Sequence, residues 1–446
     1  MRSTRETVMG QPNYLPSRRQ FLGAAALAAG ACVAADLPHS QPPPRPKKAA
    51  KKIALVTTAY HYLSHAYHVG GRFLDGYLRD GKMHYPDFAV AGMYVEQQKD
   101  NDLSRELARK HGFTIYPDVA GALTLGGDKL AVDAVLLIGE HGDYPYNDKA
   151  QKLYPRYELF QKVVAVFEKS KRTVPVFCDK HLSYDRKKAF EMAAAAKKLG
   201  FPLMAGSSLP VTWRRPELEL PLGSKIKEAV VASRGEIEIY GFHALESLQC
   251  MVERRFKGGA AAKQGVKAVT CLEGDAVWKA GDDGVWSWAL LDEALSRSPS
   301  LNVGDVRENC KHFVPPPGRP TFLKTPVAFV VEYLDGLKAT ALILNGHVDD
   351  TTFAARVDNK DPVSTLFNLP PPPGAGFLQA LTKKIEDFFT TGKPYCPVER
   401  TLLTGGVLDV ALESRLKKMA RLETPDLEVR YEPPQDSGFL RGDYNK

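Results

Sequence analysis

The chain has 446 residues, 44% of them hydrophobic and 25% charged, with a formal net charge of +8. That composition excludes wholesale disorder, a collagen-like repeat and a disulfide mini-scaffold. Residues 1–52 hold nine Lys/Arg and two acids, a balance of +7, so the remaining body carries only +1 and has no electrostatic case for nucleic acid.

Residues 17–22 read Ser-Arg-Arg-Gln-Phe-Leu, followed by an Ala-rich apolar stretch from Phe21 to Ala35. It is too short for a comfortable membrane span. Arg18 and Arg19 directly before it are the twin-arginine export signature, which predicts a periplasmic protein and the twin-arginine machinery as a partner. Cleavage is expected after Ala35; alternatively Cys32 is a lipid-attachment cysteine. The route exports folded proteins and often serves those loaded with a cofactor beforehand. Residues 36–52, with Pro42, Pro43, Pro44 and Pro46 ahead of four lysines, read as an extended tether. The cysteines beyond the signal, Cys178, Cys250, Cys271, Cys310 and Cys396, have no CxxC spacing, so a zinc ribbon and a thioredoxin motif are excluded.

The body alternates strand and helix. Ile53–Thr57, Phe88–Val95, Asp133–Ile138, Val174–Cys178 and Pro202–Ala205 read as strands, several apolar on both faces. Between them, helices are expected at His61–Asp80, Leu103–His111, Tyr157–Ser170 and Arg186–Leu199. Two-sided apolar strands alternating with helices predict a Rossmann-like, doubly wound parallel sheet over residues 53–210. Past Trp213 the pattern changes to α+β, residues 211–425, with an open, mainly antiparallel sheet. Its strands are expected at Val266–Leu272, Val327–Tyr333 and Leu337–Leu344, and its helices at His243–Arg254, Phe377–Phe389 and Leu402–Leu422. Residues 426–446 read as a tail.

This order of pieces resembles the glucose–fructose oxidoreductase / inositol dehydrogenase / MocA family from about Ile53 to Leu422. The stretch Leu107–Ile138 has that family's rhythm of helix, Gly, short strand, Tyr-x-Asp, helix and Asp-Ala-Val strand. Asp179-Lys180-His181 looks like its Glu-Lys-Pro segment, and Gly241-Phe-His243-Ala-Leu-Glu246 like the helix start carrying its catalytic His. The terminal helix pair, with "IEDFFTTGKP" in the first, completes the likeness. The resemblance implies an oxidoreductase that uses NAD or NADP on a sugar, cyclitol or related polyol. Lys180 and His243 would then be the proton-transfer pair, a chemistry that needs a base near neutral pH and a cation beside the developing alkoxide. It places cofactor contacts at Thr57, Ala59, Tyr62, Glu96, Glu140, His141 and Asp179. Trp213, Arg214 and Arg215 at the domain junction are candidates for stacking on and bonding a sugar-like substrate. The family's second sheet often pairs with another subunit, which implies a homo-oligomer.

The sequence departs from the family where the phosphates should sit. The three glycines of Gly-x-Gly-x-x-Gly fall on Thr57, Ala59 and Tyr62. The position four before His243, an Asp in the family, is Ile239, with Glu238 beside it. In place of the glycines stand His61, His65 and His68, spaced for one helix face. Together with His141 and His181, His61 and His65 supply an alternative divalent-metal set, zinc for instance. Three functions therefore stay open: the exported oxidoreductase with a non-standard cofactor site, an NAD-independent lyase, epimerase or hydrolase on the same scaffold, and a non-catalytic carbohydrate-binding protein.

Overall fold

The computed structural model describes residues 51–79, 81–257, 264–315 and 326–442. The expected signal, with Arg18, Arg19 and Cys32, lies outside the described residues, as does most of the tether. The first half runs β1 (Lys51–Thr57), a hairpin of β2 (Tyr77–Arg79) and β3 (Lys82–His84), β4 (Phe88–Val95), β5 (Thr114–Ile115), β6 (Ala134–Ile138), β7 (Val176–Asp179) and β8 (Leu203–Gly206). Apart from the hairpin these strands form one parallel sheet, β5-β4-β1-β6-β7-β8. Its central strands are buried on both faces because they carry no polar side chain: Ile53 to Val56 and Ala134 to Ile138 are fully buried. Helices Val119–Thr124, Arg156–Ser170 and Arg186–Leu199 pack on one face, and Gly71–Asp75 with Gly376–Thr391 on the other. The chain leaves β1 for β4 on one side and reaches β6 on the other. That switch opens a crevice at the strands' C-terminal ends.

The second half contributes β9 (Trp213–Arg215), β10 (Ile226–Ser233), β11 (Val266–Glu273), β12 (Val327–Tyr333), β13 (Lys338–Ile343), β14 (Thr351–Val357), β15 (Val363–Asn368) and β16 (Leu422–Glu423). They form one eight-stranded sheet, β16-β11-β12-β13-β10-β14-β15-β9, antiparallel at every junction except β13–β10. Helices Ile239–Val252 and Val398–Leu416 pack on the inner face. The outer face is covered over its central strands by helices Asp275–Asp282 and Trp288–Leu295 and the turn between them, where Trp278, Trp286, Leu290 and Leu291 bury Val230, Ala232, Leu342 and Ala354. The sequence did not signal β9, β10, β14, β15 or these two helices. Among the described residues no helix is long and apolar enough to cross a membrane.

Three expectations change. The helix expected over His61–Asp80 is a turn, one π-helical turn (Ala66–Gly70) and the short helix Gly71–Asp75, followed by β2. His61 therefore stands in the turn, and His61, His65 and His68 do not share a helix face. The boundary at residue 210 is crossed, because helix Gly376–Thr391 returns to the first sheet and packs Phe388 and Phe389 with Phe73 and Phe88. The tail packs too: Leu427, Val429, Tyr431 and Phe439 are buried.

Candidate active site

The crevice of the first sheet faces the start of helix Ile239–Val252 across a cavity of about 630 Å³, inside the usual range for a small-molecule pocket. Lys180 enters it from the end of β7. Its backbone is left-handed (φ +62°), an uncommon conformation for a residue with a side chain. Two bonds to Gly206 hold it: the Lys180 N–H donates to Gly206 O (3.1 Å), and the Gly206 N–H donates back (3.0 Å). The Lys180 ammonium lies 3.1 Å from Glu140 Oε1, and buried Arg156 bonds the other oxygen of the same carboxylate. Burial pushes the Glu140 carboxyl up, but Lys180 and Arg156 more than reverse this and hold it well below the usual carboxylate range.

His243 lines the cavity one turn into its helix. Burial, then the charge of Lys180, push its imidazole well below its ordinary value, and its Nδ1 has no hydrogen-bond partner. Glu238, at the start of the same helix, accepts from His181 Nε2 (2.7 Å), which ties the helix to the β7 end. Lys180 and His243 thus meet at one cavity. The wall also holds Tyr146, Lys152, Tyr154, Arg234 and Glu236, all missed in the sequence. Lys152 stands against the Tyr146 and Tyr154 rings, and Tyr146 donates to Glu236 (3.1 Å). The Tyr-rich run Tyr144–Tyr157 was the available signal for the first three. Arg234 and Glu236 follow β10, a strand without one.

The histidines converge at the other end. His61 and His65 face His141, with ring centroids 5.2 and 5.4 Å apart. His141 has a left-handed backbone (φ +71°) on the loop after β6, and burial followed by His65 pushes its imidazole down to about 3. The structure does not bring His181 to them; its ring packs on Phe242 and Glu238. Among the described residues no three metal-ligating side chains are grouped to hold an ion. His68 lies away, against Tyr67. A second cavity of only 140 Å³, lined by Ala59, Tyr60 and Gln97, lies beyond, and His61 and Gly142 belong to the walls of both.

A dinucleotide in the usual seat needs the turn after β1 to offer its N–H groups to the pyrophosphate. Here the N–H groups of His61 and Tyr67 donate to Ser64 Oγ (3.2 and 3.1 Å), and that of His65 to His141 Nδ1 (3.4 Å). The His65 side chain also crosses from this turn, over the end of β6, to Asp179 at the end of β7 (2.7 Å). The side chains present do not fit the family's cofactor seat.

Tyr62, at the third glycine position, does not fill the seat. Its ring is 57% exposed and rests on Tyr67 (5.3 Å), while the close helix–strand approach is made at Gly70, where a Cβ would lie 2.9 Å from Leu55 Cδ2. Thr57 is buried and donates to Ile138 O (2.9 Å), closing β1 onto β6. Glu96 accepts from the Tyr144 hydroxyl and lines neither cavity. The structure does not place Trp213, Arg214 and Arg215 in the cleft. They form edge strand β9, where Arg214 lies under the Phe439 ring (4.3 Å) and donates to Leu218 O (2.8 Å), and Arg215 donates to Gly442 O (2.7 Å). The packed tail claims them, a contact no local pattern announces.

No family model matches the chain, and no curated protein matches its sequence. Solved structures do match in shape. GenD2 from gentamicin A biosynthesis, in complex with NAD, superposes with a TM-score of 0.51 at 13% identity, over 85% of this chain and 98% of its own. The chain has the fold of the glucose–fructose oxidoreductase / inositol dehydrogenase / MocA dehydrogenases. A probable dehydrogenase from Thermotoga maritima gives 0.49 at 13% identity, over 84% and 99% of the two chains. A myo-inositol dehydrogenase from Corynebacterium glutamicum gives 0.48 at 10%, over 84% and 98%. At such identities the likeness is one of fold.

Proposed function

We propose that the chain is an exported acid–base enzyme that moves a proton on a sugar-, cyclitol- or polyol-like substrate, without nicotinamide in the usual seat. The convergence of Lys180 and His243 on one 630 Å³ cavity carries this reading. The Lys180 ammonium, held by Glu140, faces an oxygen that gains negative charge. His243, whose imidazole is held neutral, donates or accepts a hydrogen bond at a hydroxyl. The tyrosines supply apolar faces for a sugar ring. Export by the twin-arginine route follows from Arg18-Arg19 ahead of the apolar stretch.

NAD(P)-dependent oxidoreduction of the same class of substrate is the second reading. The fold favours it, and so does Tyr62, whose exposed ring leaves the turn uncovered. It requires the His141 ring and the His65–Asp179 bond to give way. The deciding experiment releases whatever the folded, purified protein holds and identifies it by mass spectrometry and metal analysis, alongside a screen of sugars, sugar acids and cyclitols with and without NAD(P). Turnover without dinucleotide supports the first reading. A released dinucleotide, or turnover that needs NAD(P), replaces it with the second. Sugar binding with no turnover under either condition overturns both.

A further inference from the structure

One pair in the cleft is used by neither group above. We propose that Asp179 and His65 form the proton-accepting pair of this site, a carboxylate-held imidazole whose Nε2 takes the proton from the substrate. The proposal rests on the acid–base reading of the cleft and names its base.

The geometry is specific. His65 lies in the turn after β1 and Asp179 ends β7, two strands that are not neighbours, yet His65 Nδ1 lies 2.7 Å from Asp179 Oδ2. An ionised carboxylate only accepts, so Nδ1 carries the hydrogen and Nε2 is the nitrogen left with a lone pair. His65 lines the large cavity and is 20% exposed, whereas Asp179 is 1% exposed. The other Asp179 oxygen has no partner, so His65 is the group that carboxylate serves. When Nε2 takes a proton, the buried carboxylate stabilises the imidazolium formed. The other histidines that line the cavity are set up differently. His243 has no carboxylate on its Nδ1, and His141 accepts from the backbone N–H of His65 itself.

Lys180 follows Asp179 directly, so one strand end presents the base's anchor and the cation together. The arrangement suits a hydroxylated substrate with a carbonyl or carboxylate beside the reacting carbon. The C–H bond breaks and its proton goes to His65 Nε2. The electron pair moves into the neighbouring C–O group, whose oxygen faces the Lys180 ammonium. A solvent proton then adds to the same carbon from the other side, the pair of electrons returns from the C–O group to form that C–H bond, and His65 releases its proton to solvent, so an epimerisation restores both His65 and Lys180 and needs no oxidant or reductant.

The test has two arms, both on the full-length protein. In the first, diethyl pyrocarbonate, which carbethoxylates unprotonated imidazole nitrogen, is followed by peptide mass spectrometry. His65 should react faster than the exposed His312, and Asp179→Asn should slow it. If His65 reacts no faster than His312, or is indifferent to Asp179→Asn, the pair is not a base. In the second arm, His65→Asn keeps a donor for Asp179 but removes Nε2. With the substrate found in the screen, its kcat should fall by about 10²–10⁴ at little change in KM. His65→Gln serves if the Asn variant melts early. Parental kcat in either variant, with Lys180→Ala and His243→Ala inactive, overturns the pair and leaves the cleft reading standing. Parental kcat in all of them overturns both.

Discussion

The two ends of the cleft use similar side chains in opposite ways. At the Lys180 end, one buried carboxylate, Glu140, is shared by two cations, Lys180 and Arg156, so the Lys180 ammonium is held at the cavity by its carboxylate partner. At the end where the family seats its cofactor, imidazoles face one another and the turn's N–H groups bond inward to Ser64 and His141. The large cavity touches both ends, and the small one lies beyond the imidazoles.

The largest expected effect tests the first end. Lys180→Met and His243→Ala should each lower turnover by about 10²–10⁴, the range for a positioned proton-transfer group. Steady-state rates on the screened substrate, with melting curves as a control for folding, check this. Parental rates in folded variants would erase the difference between the two ends.

Glu140→Gln should come next, because it strands two buried cations. A loss of about 3–5 kcal/mol is expected by denaturant unfolding at neutral pH. The sign with pH is fixed by the depressed carboxyl. Its stabilisation is present above the unfolded value of about 4.3 and is lost as pH falls through the lower folded value. The parent should therefore lose stability to acid more steeply than the variant, and parallel acid profiles would remove Glu140 as the anchor.

Arg214→Ala should cost about 1–3 kcal/mol, since it leaves Leu218 O and its neighbours without their buried donor. KM should not change. A raised KM with parental stability would return β9 to the substrate site. Tyr62→Gly should do least, within about 0.5 kcal/mol of the parent as a surface change, with no gain in NAD(P)H affinity by fluorescence titration. His141→Ala, which opens the space over the turn, is the variant that should gain affinity. A gain in Tyr62→Gly alone would mean that the seat is blocked by one ring and not by the histidines.

The first sheet was legible because its physics is local. A strand apolar on both faces, such as Asp133–Ile138, has only one comfortable environment, and Gly112 and Gly200 mark where helices stop. The second sheet was half legible. β12 and β13 announce themselves through the Asp335-Gly336 turn, whereas β9 and β15 depend on partners far along the chain. In the site, Lys180 and His243 could be named because each sits at an element end with a recognisable neighbourhood. The crossing of His65 to Asp179 could not. It depends on a turn shortened into a π-helical start, where helical spacing had placed His61, His65 and His68 on one face. Arg214 was misplaced for a similar reason, since the tail that covers it begins more than 200 residues later.

The helices over the outer face of the eight-stranded sheet have a further consequence. Trp278 and Trp286 pack with Val230 and Leu342, so the outer face of the central strands, where a second copy pairing on this sheet would have to sit, is covered by the chain's own helices. A second molecule approaching those central strands meets helices first. Light scattering on the purified protein should return the mass of one chain, and any dimer that does form should survive substitutions at Trp278, because its seam lies elsewhere.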